Sequence, residues 1–543
     1  MRLWRQAYWP MRLCARGFYK ESLRKQMEKK ETESIEKDRE KKKDTAVQDS
    51  SRENHTQKVF TEEVKEKKRR KTVTEYLQDQ SRRGRDDRRH HRWSSPKIMV
   101  PGFLGLILVG ALLLMLPVCN ADGHWLDFTD ALFTSCTCVC VTGLVTVVPA
   151  VQFTFLGKLI MMCLIQIGGW GVIVCIMSFL VLLRRRITLN SRVIIRDYFN
   201  MDTMSGIVRM LNYVVRGSLL VEGIGALGYS LYFVPHYGFL RGCWYSVFHA
   251  VSAFCNAGVD ILGETSLQQF TSNGWMNLVT MALIVTGGLG FMVWQDLQQF
   301  ARHVFREKQG IGRAARRLQL QTKVVLVMTT LLLAVGTVAV FFAERTNPAT
   351  LGSLGTGEKW MAALFQSVTV RTAGFYTIAQ DGLREVTKFI CGILMFIGGS
   401  PVGTAGGAKT VTVAVLALTC WSILKGHQDT ECFHRRIADR IVRMAVVVVA
   451  VQLMLVLAGS IALCALEPHI SLMDALYEVV SAVATVGLTA GQTPGLSLPA
   501  RYVIMALMYL GKIGPITLPM MIASRLSKMN DRRTLPEEHI VVG

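Results

Sequence analysis

The sequence predicts an all-α polytopic membrane protein: four repeated helix–re-entrant pore loop–helix units around a pseudo-fourfold central pore. Three observations carry this. From Met99 onward long apolar segments dominate a chain that is 50% hydrophobic, with a mean hydropathy of +0.30. Between pairs of them sits a short apolar run, such as FHAVSAFCNAGVD at 248–260, that is too short to span a bilayer and too apolar for a water-exposed loop. Four such runs end in a glycine turn, and the four turns stand in register.

The chain opens with a polar extension, residues 1–96, rich in Lys, Glu, Arg and Gln. With so few apolar residues it cannot bury a core, and it reads as a basic cytoplasmic segment of mixed-charge helix or disorder. Residues 1–17 carry scattered arginines and no continuous apolar core, so a cleavable signal peptide is not expected. The net charge of +22 does not point to nucleic acid. About half of the excess lies in the extension, and the basic run RRGRDDRRHHR at 82–92 reads as a topogenic stretch beside the first membrane segment.

Unit one, 97–190, has apolar segments at 98–119 and 155–183 around a short run at 126–144. Unit two, 206–303, has them at 214–235 and 275–293 around 244–259. Unit three, 322–425, has 324–343 and 389–424 around 360–375. Unit four, 437–526, has 442–466 and 503–526 around 472–488, and a cytoplasmic tail, 527–543, follows. Basic stretches fall between the units (Arg184, Arg185, Arg186, then 302–323, then 425–443) and after the last. The positive-inside rule then gives eight spans with both termini cytoplasmic and all four short runs entering from outside.

The glycine turns read Val141-Thr142-Gly143-Leu144, Asn256-Ala257-Gly258-Val259, Thr372-Ala373-Gly374-Phe375 and Thr485-Val486-Gly487-Leu488. Each follows a helix-sized run with small or hydroxyl residues such as Ser252, Ser367 and Ser481. Non-helical backbone at membrane depth is tolerated only where it lines a cavity or is buried in protein. Four such turns about one axis would line a pore with carbonyl oxygens, which replace the hydration shell of an alkali cation. Asp127, Asp130, Asp260 and Asp474, near the outer mouth, either concentrate cations or serve as solvated and capping residues.

These motifs, with FQSVTVRTAGF at 365–375, YEVVSAVATVGL at 477–488 and IGGSPVGTAGGAKT at 397–410, resemble the Ktr/Trk/HKT superfamily of potassium transporters. They are most similar to the membrane subunit of the bacterial Ktr system. The resemblance covers residues 98–525 and implies a selectivity filter of Thr142, Gly143, Asn256, Ala257, Gly258, Thr372, Ala373, Gly374, Thr485, Val486 and Gly487, with potassium at its backbone carbonyls. It also implies an intramembrane gate at 398–407, with Gly398, Gly399, Ser400, Gly403, Gly406, Gly407 and, on the last span, Lys512. That glycine- and proline-rich loop cannot continue a helix. Lys512 and Glu222 are charges inside apolar segments, where a functional role is the default. Cys138, Cys140 and Cys255 set the first two filter loops apart.

The remaining cysteines read as small hydrophobes, and Cys136, Cys138 and Cys140 lack nearby histidines for a metal site. The GxGxxG of 223–228 lies inside a span, and 404–410 only approximates a phosphate loop, so nucleotide binding by this chain is not expected. The expected function is uptake of potassium across the bacterial inner membrane through a gated pore, with sodium as a second ion. The lipid bilayer is an expected partner, and the resemblance implies a second copy in a homodimer and a cytoplasmic nucleotide-binding regulatory ring subunit; no nucleic acid and no covalently bound cofactor are expected. The alternatives are a sodium- or proton-coupled cation symporter and, more remotely, a membrane-embedded enzyme.

Overall fold

The computed structural model describes residues 95–182, 207–427 and 429–514. The N-terminal extension, the basic link after unit one and the tail lie outside the described residues, as does 515–526 of the last span.

Each unit begins with a long helix: α1 (Ser95–Leu114), α5 (Ile207–Tyr237), α9 (Leu320–Glu344) and α13 (Asp439–Leu466). A short helix follows: α2 (Phe128–Cys140), α6 (Phe239–Cys255), α10 (Thr356–Thr369) and α14 (Leu472–Val483). At about 1.5 Å per residue, the 25 residues of α9 cross an apolar layer of about 30 Å, whereas the 12 of α14 cannot. Local chemistry starts the short helices. Asp127 accepts from Thr129 N (2.9 Å) to cap α2, and Ser471 accepts from Asp474 N (3.1 Å) to cap α14.

In units one to three the third part is broken. In unit one, α3 (Phe155–Trp170) and α4 (Val172–Leu182) meet at Gly171. In unit two, α7 (Gly274–Gly288) and α8 (Phe291–Phe305) are bent by 102° about Gly290. In unit three, a loop separates α11 (Glu385–Ile397) from α12 (Thr410–Leu424), and in unit four α15 (Leu498–Ile513) ends at Gly514. Gly171, Gly290 and Gly514 share φ of +84°, +90° and +94°, a region open to glycine. The apolar segments expected at 155–183 and 275–293 are thus interrupted at Gly171 and Gly290.

Burial separates the two helix classes. The faces of α5, α9 and α13 expose Leu227, Leu231, Val335 and Ile461, an apolar surface that suits lipid rather than water. The short helices are enclosed by protein, with Phe133, Phe248, Phe254, Phe365 and Tyr477 fully buried. The units also pack in a cyclic order: α3 on α6, α7 on α10, α11 on α14, and α15 back on α2. Side chains tie these seams, with Phe155 on Trp244 (4.5 Å between rings), Lys388 on Asp474 (2.6 Å) and Arg501 on Asp130 (2.7 Å). Between units three and four a small antiparallel hairpin pairs Glu431 with Arg436 and Cys432 with Arg435, an exception to the all-helical expectation.

Candidate functional site

The four glycine turns meet. A Cβ added to Gly143 would lie 2.5 Å from the Ala257 carbonyl oxygen, one on Gly258 2.6 Å from that of Ala373, and one on Gly374 2.6 Å from that of Val486. One on Gly487 would collide with the carbonyl oxygen of Thr142. Each glycine thus faces the carbonyl of the residue before the next glycine, and the fourth contact returns to the first turn. No side chain fits between neighbouring turns.

The residue two before each glycine is also left-handed: Val141, Asn256, Thr372 and Thr485, with φ of +56°, +61°, +76° and +51°. Three of these are β-branched, for which this conformation is a true outlier, and such strain persists only where the surroundings impose it. Here the short helices do so. The amide before each glycine donates into a helix end: Thr142 to Thr137 O (2.9 Å), and Ala257 to Ser252 O, Ala373 to Thr369 O and Val486 to Ser481 O, each at 2.8 Å.

Hydroxyls complete the support. Thr137 Oγ1 accepts from Gly143 N (2.9 Å) and Ser481 Oγ from Gly487 N (3.0 Å), while Ser252 donates to Val259 O (2.6 Å) and Thr369 to Phe375 O (2.5 Å). Ser367 instead donates to Leu333 O (2.9 Å), away from the turn. Unit three leaves its helix through Val370 and Arg371, which moves the supporting position to Thr369. Sequence reasoning missed Thr137, Thr369 and Val141; a hydroxyl five or six positions before each glycine was the available signal.

Cys255 and Asn256 have partners behind the second turn. Cys255 Sγ lies 3.9 Å from Gln166 Oε1, and Gln166 donates to buried Glu222 (2.8 Å). With its amide turned to satisfy both groups, Asn256 donates to Ala253 O (3.0 Å) and Ile284 O (3.3 Å).

The glycine-rich loop of unit three lies against these turns. Gly406 N donates to Thr372 Oγ1 (3.2 Å), Thr404 Oγ1 donates to Phe254 O (3.2 Å), and a Cβ on Gly406 would strike Ala484 and Thr485. The loop also joins the break in unit two, through Ser400 N to Gly288 O (3.0 Å) and Phe291 N to Val402 O (2.9 Å). Gly399 N bonds Gly406 O (3.2 Å) to fold the loop on itself. Lys409 donates to the carbonyls of Ala405 and Gly406. Half-buried Lys512 is within electrostatic reach of Lys409 and makes no hydrogen bond or ion pair among the described residues.

The outer carboxylates are mostly committed elsewhere. Asp127 caps α2, and Asp130 and Asp474 are held by Arg501 and Lys388. Asp260, in the link after the second turn, accepts from Leu262 N (3.1 Å) and Gly263 N (3.4 Å), and burial raises its pKa from 3.8 to about 6.

A family profile described as TrkH, cation transport protein, matches residues 106–532. The chain is 36% identical to the potassium/sodium uptake protein NtpJ of Enterococcus hirae, over 84% of this chain and 99% of that one. It is 36% identical to Ktr system potassium uptake protein B of Vibrio alginolyticus (79% and 91% covered) and 35% to that of Bacillus subtilis (78% and 92%). The crystal structure of the potassium transporter TrkH from Vibrio parahaemolyticus shares the fold, with a TM-score of 0.62 at 18% identity over 80% of this chain and 86% of that one. The chain is a multi-pass membrane transporter, not an enzyme, and belongs to the TrkH cation transport protein family.

Proposed function

We propose that this protein takes up potassium through a pore on the cyclic axis of its four units, with Thr142, Gly143, Asn256, Ala257, Gly258, Thr372, Ala373, Gly374, Thr485, Val486 and Gly487 as the selectivity filter. The single observation that carries the reading is the closed series of glycine–carbonyl contacts, from Gly143 through Gly258 and Gly374 to Gly487 and back to Thr142. Carbonyls crowded about one axis, supported from behind by buried hydroxyls, offer neutral oxygen ligands of the kind that replace water around a dehydrated alkali cation. The same contacts support the reading of four pore units in a pseudo-fourfold arrangement.

Loop 398–407 is the gate in this reading, with Gly398, Gly399, Ser400, Gly403, Gly406 and Gly407 allowing it to fold beneath the filter. Lys512 and Lys409 place positive charge beside the passage. Both termini are cytoplasmic by the distribution of basic residues. The relatives named for the Ktr system support a chain that works with partners of such a system; in this reading it is a homodimer working with a cytoplasmic nucleotide-binding ring subunit. Sodium dependence is the second reading, favoured by the potassium/sodium naming of the Enterococcus relative.

Expression in a bacterium lacking potassium uptake, with the ring subunit supplied, should restore growth at low potassium. Absence of rescue together with absence of rubidium flux in vesicles sinks the proposal. Rubidium flux with and without sodium separates simple permeation from coupling.

A further inference from the structure

Beyond the filter, two of the four short helices carry buried polar side chains that hold the backbone leaving the turn. In unit four, Glu478 accepts from Thr489 Oγ1, from Ala490 N (3.1 Å) and from Thr493 Oγ1 (2.9 Å). In unit three, Gln366 and Gln380 pair through both amides, Gln366 Nε2 to Gln380 Oε1 at 2.8 Å and Gln380 Nε2 to Gln366 Oε1 at 3.1 Å. Gln380 also donates to Ile378 O (2.8 Å). Tyr477 joins the units by donating to Gln380 Oε1 (2.9 Å). Gln366, Gln380, Tyr477, Glu478 and Thr493 are all buried.

After the turn the register is the same in both units, and on the short helices Gln366 and Glu478 stand eight and nine positions before Gly374 and Gly487. Gln380 and Thr493 each stand six positions after their glycine, Gly374 and Gly487. Unit two lacks this support. His249 holds the place of Glu478, nine positions before its glycine; its Nδ1 meets Tyr245 O (2.7 Å), its buried Nε2 has no partner among the described residues, and Glu264, six positions after Gly258, is exposed. Unit one has Pro149 six positions after Gly143, with no side-chain hydrogen-bonding group.

We propose that Glu478, Gln380 and Tyr477 are positioning residues that hold the outer backbone of filter quadrants three and four, and so set discrimination between potassium and smaller alkali cations. The proposal rests on the filter reading above. A filter discriminates by the number and placement of its oxygens, so backbone free to close around a smaller ion loses that preference. A buried polar belt with every member satisfied is rigid, and losing one partner leaves the others unpaired.

The test is rubidium uptake by the full-length protein in proteoliposomes, with sodium as competitor. Gln380→Met and Glu478→Gln should each lower rubidium-over-sodium discrimination about tenfold, and Tyr477→Phe, which removes only one bond of the belt, about threefold. His249→Leu should leave discrimination unchanged. Thermal unfolding of each variant separates altered selectivity from misfolding; if Glu478→Gln does not fold, Gln380→Met and Tyr477→Phe decide. Folded variants with wild-type discrimination, or equal losses in His249→Leu, overturn the proposal. Wild-type protein that passes no alkali cation overturns the filter reading instead.

Discussion

Gly487 stands so close to the carbonyl oxygen of Thr142 that a single added Cβ has no room. These residues belong to the last and first units, and their contact closes a series that runs through Ala257, Ala373 and Val486. Closure also explains why the seam from α15 to α2 carries an ion pair, Arg501 with Asp130 at 2.7 Å.

Gly487→Ala puts a methyl group against that carbonyl and forces alanine to φ of +93°. The fourth turn must move, so rubidium-over-sodium discrimination should fall by at least about tenfold, equivalent to roughly 1.4 kcal/mol. Competition of sodium against rubidium uptake in vesicles measures it. Retained discrimination argues against Gly487 as a filter residue.

Ser481→Ala removes the acceptor of Gly487 N and leaves a buried amide unpaired, at a cost of roughly 1–3 kcal/mol. Ser367→Ala breaks only a bond to Leu333 O. The first substitution should impair discrimination, and the second should lower thermal stability alone. Equal effects on selectivity would show that Ser481 does not act through the turn.

Removing residues 398–407 should raise basal rubidium flux several-fold, because the loop touches Phe254, Thr372 and Thr485 at the turns. Flux is read in vesicles without the ring subunit. An unchanged rate rejects the loop as a gate.

With Asp260 at the outer mouth, as the proposed orientation has it, uptake should depend on external pH. Its pKa is raised by burial from 3.8 to about 6, so between these values the folded protein holds a proton that the unfolded chain has released. Its contribution to stability therefore falls as pH rises through that window, and the mouth gains this negative charge only above about pH 6. Rubidium uptake at limiting concentration should drop about twofold between pH 7 and pH 5, in line with a moderate long-range attraction. Asp260→Asn should flatten that change; a profile identical to wild type removes Asp260 from it.

Much of the site was legible because its signals are local. The length of an apolar run decides whether it can span, and the turns at Gly143, Gly258, Gly374 and Gly487 advertise a backbone that other residues resist. The breaks at Gly171 and Gly290 were equally local, in the sequences GGWG and GGLG, but were hidden by the unbroken hydropathy around them. The distinction between Ser367 and Thr369 was less accessible, because it depends on how many residues separate the helix end from the turn.

The sequence by itself determined the repeated units, the short apolar runs and the glycine at the centre of each turn, since hydropathy and φ preference belong to single segments. Tertiary structure alone decided that Gly487 meets Thr142, that Lys409 binds its own loop, that Asp130 and Asp474 are neutralised by Arg501 and Lys388, and that Gln380 joins Gln366 to Tyr477. Each of these depends on which distant segments approach one another and on the rotation of each helix about its axis. A hydrogen bond or ion pair forms only where donor and acceptor come within about 3 Å, and residue identity along the chain does not specify that distance.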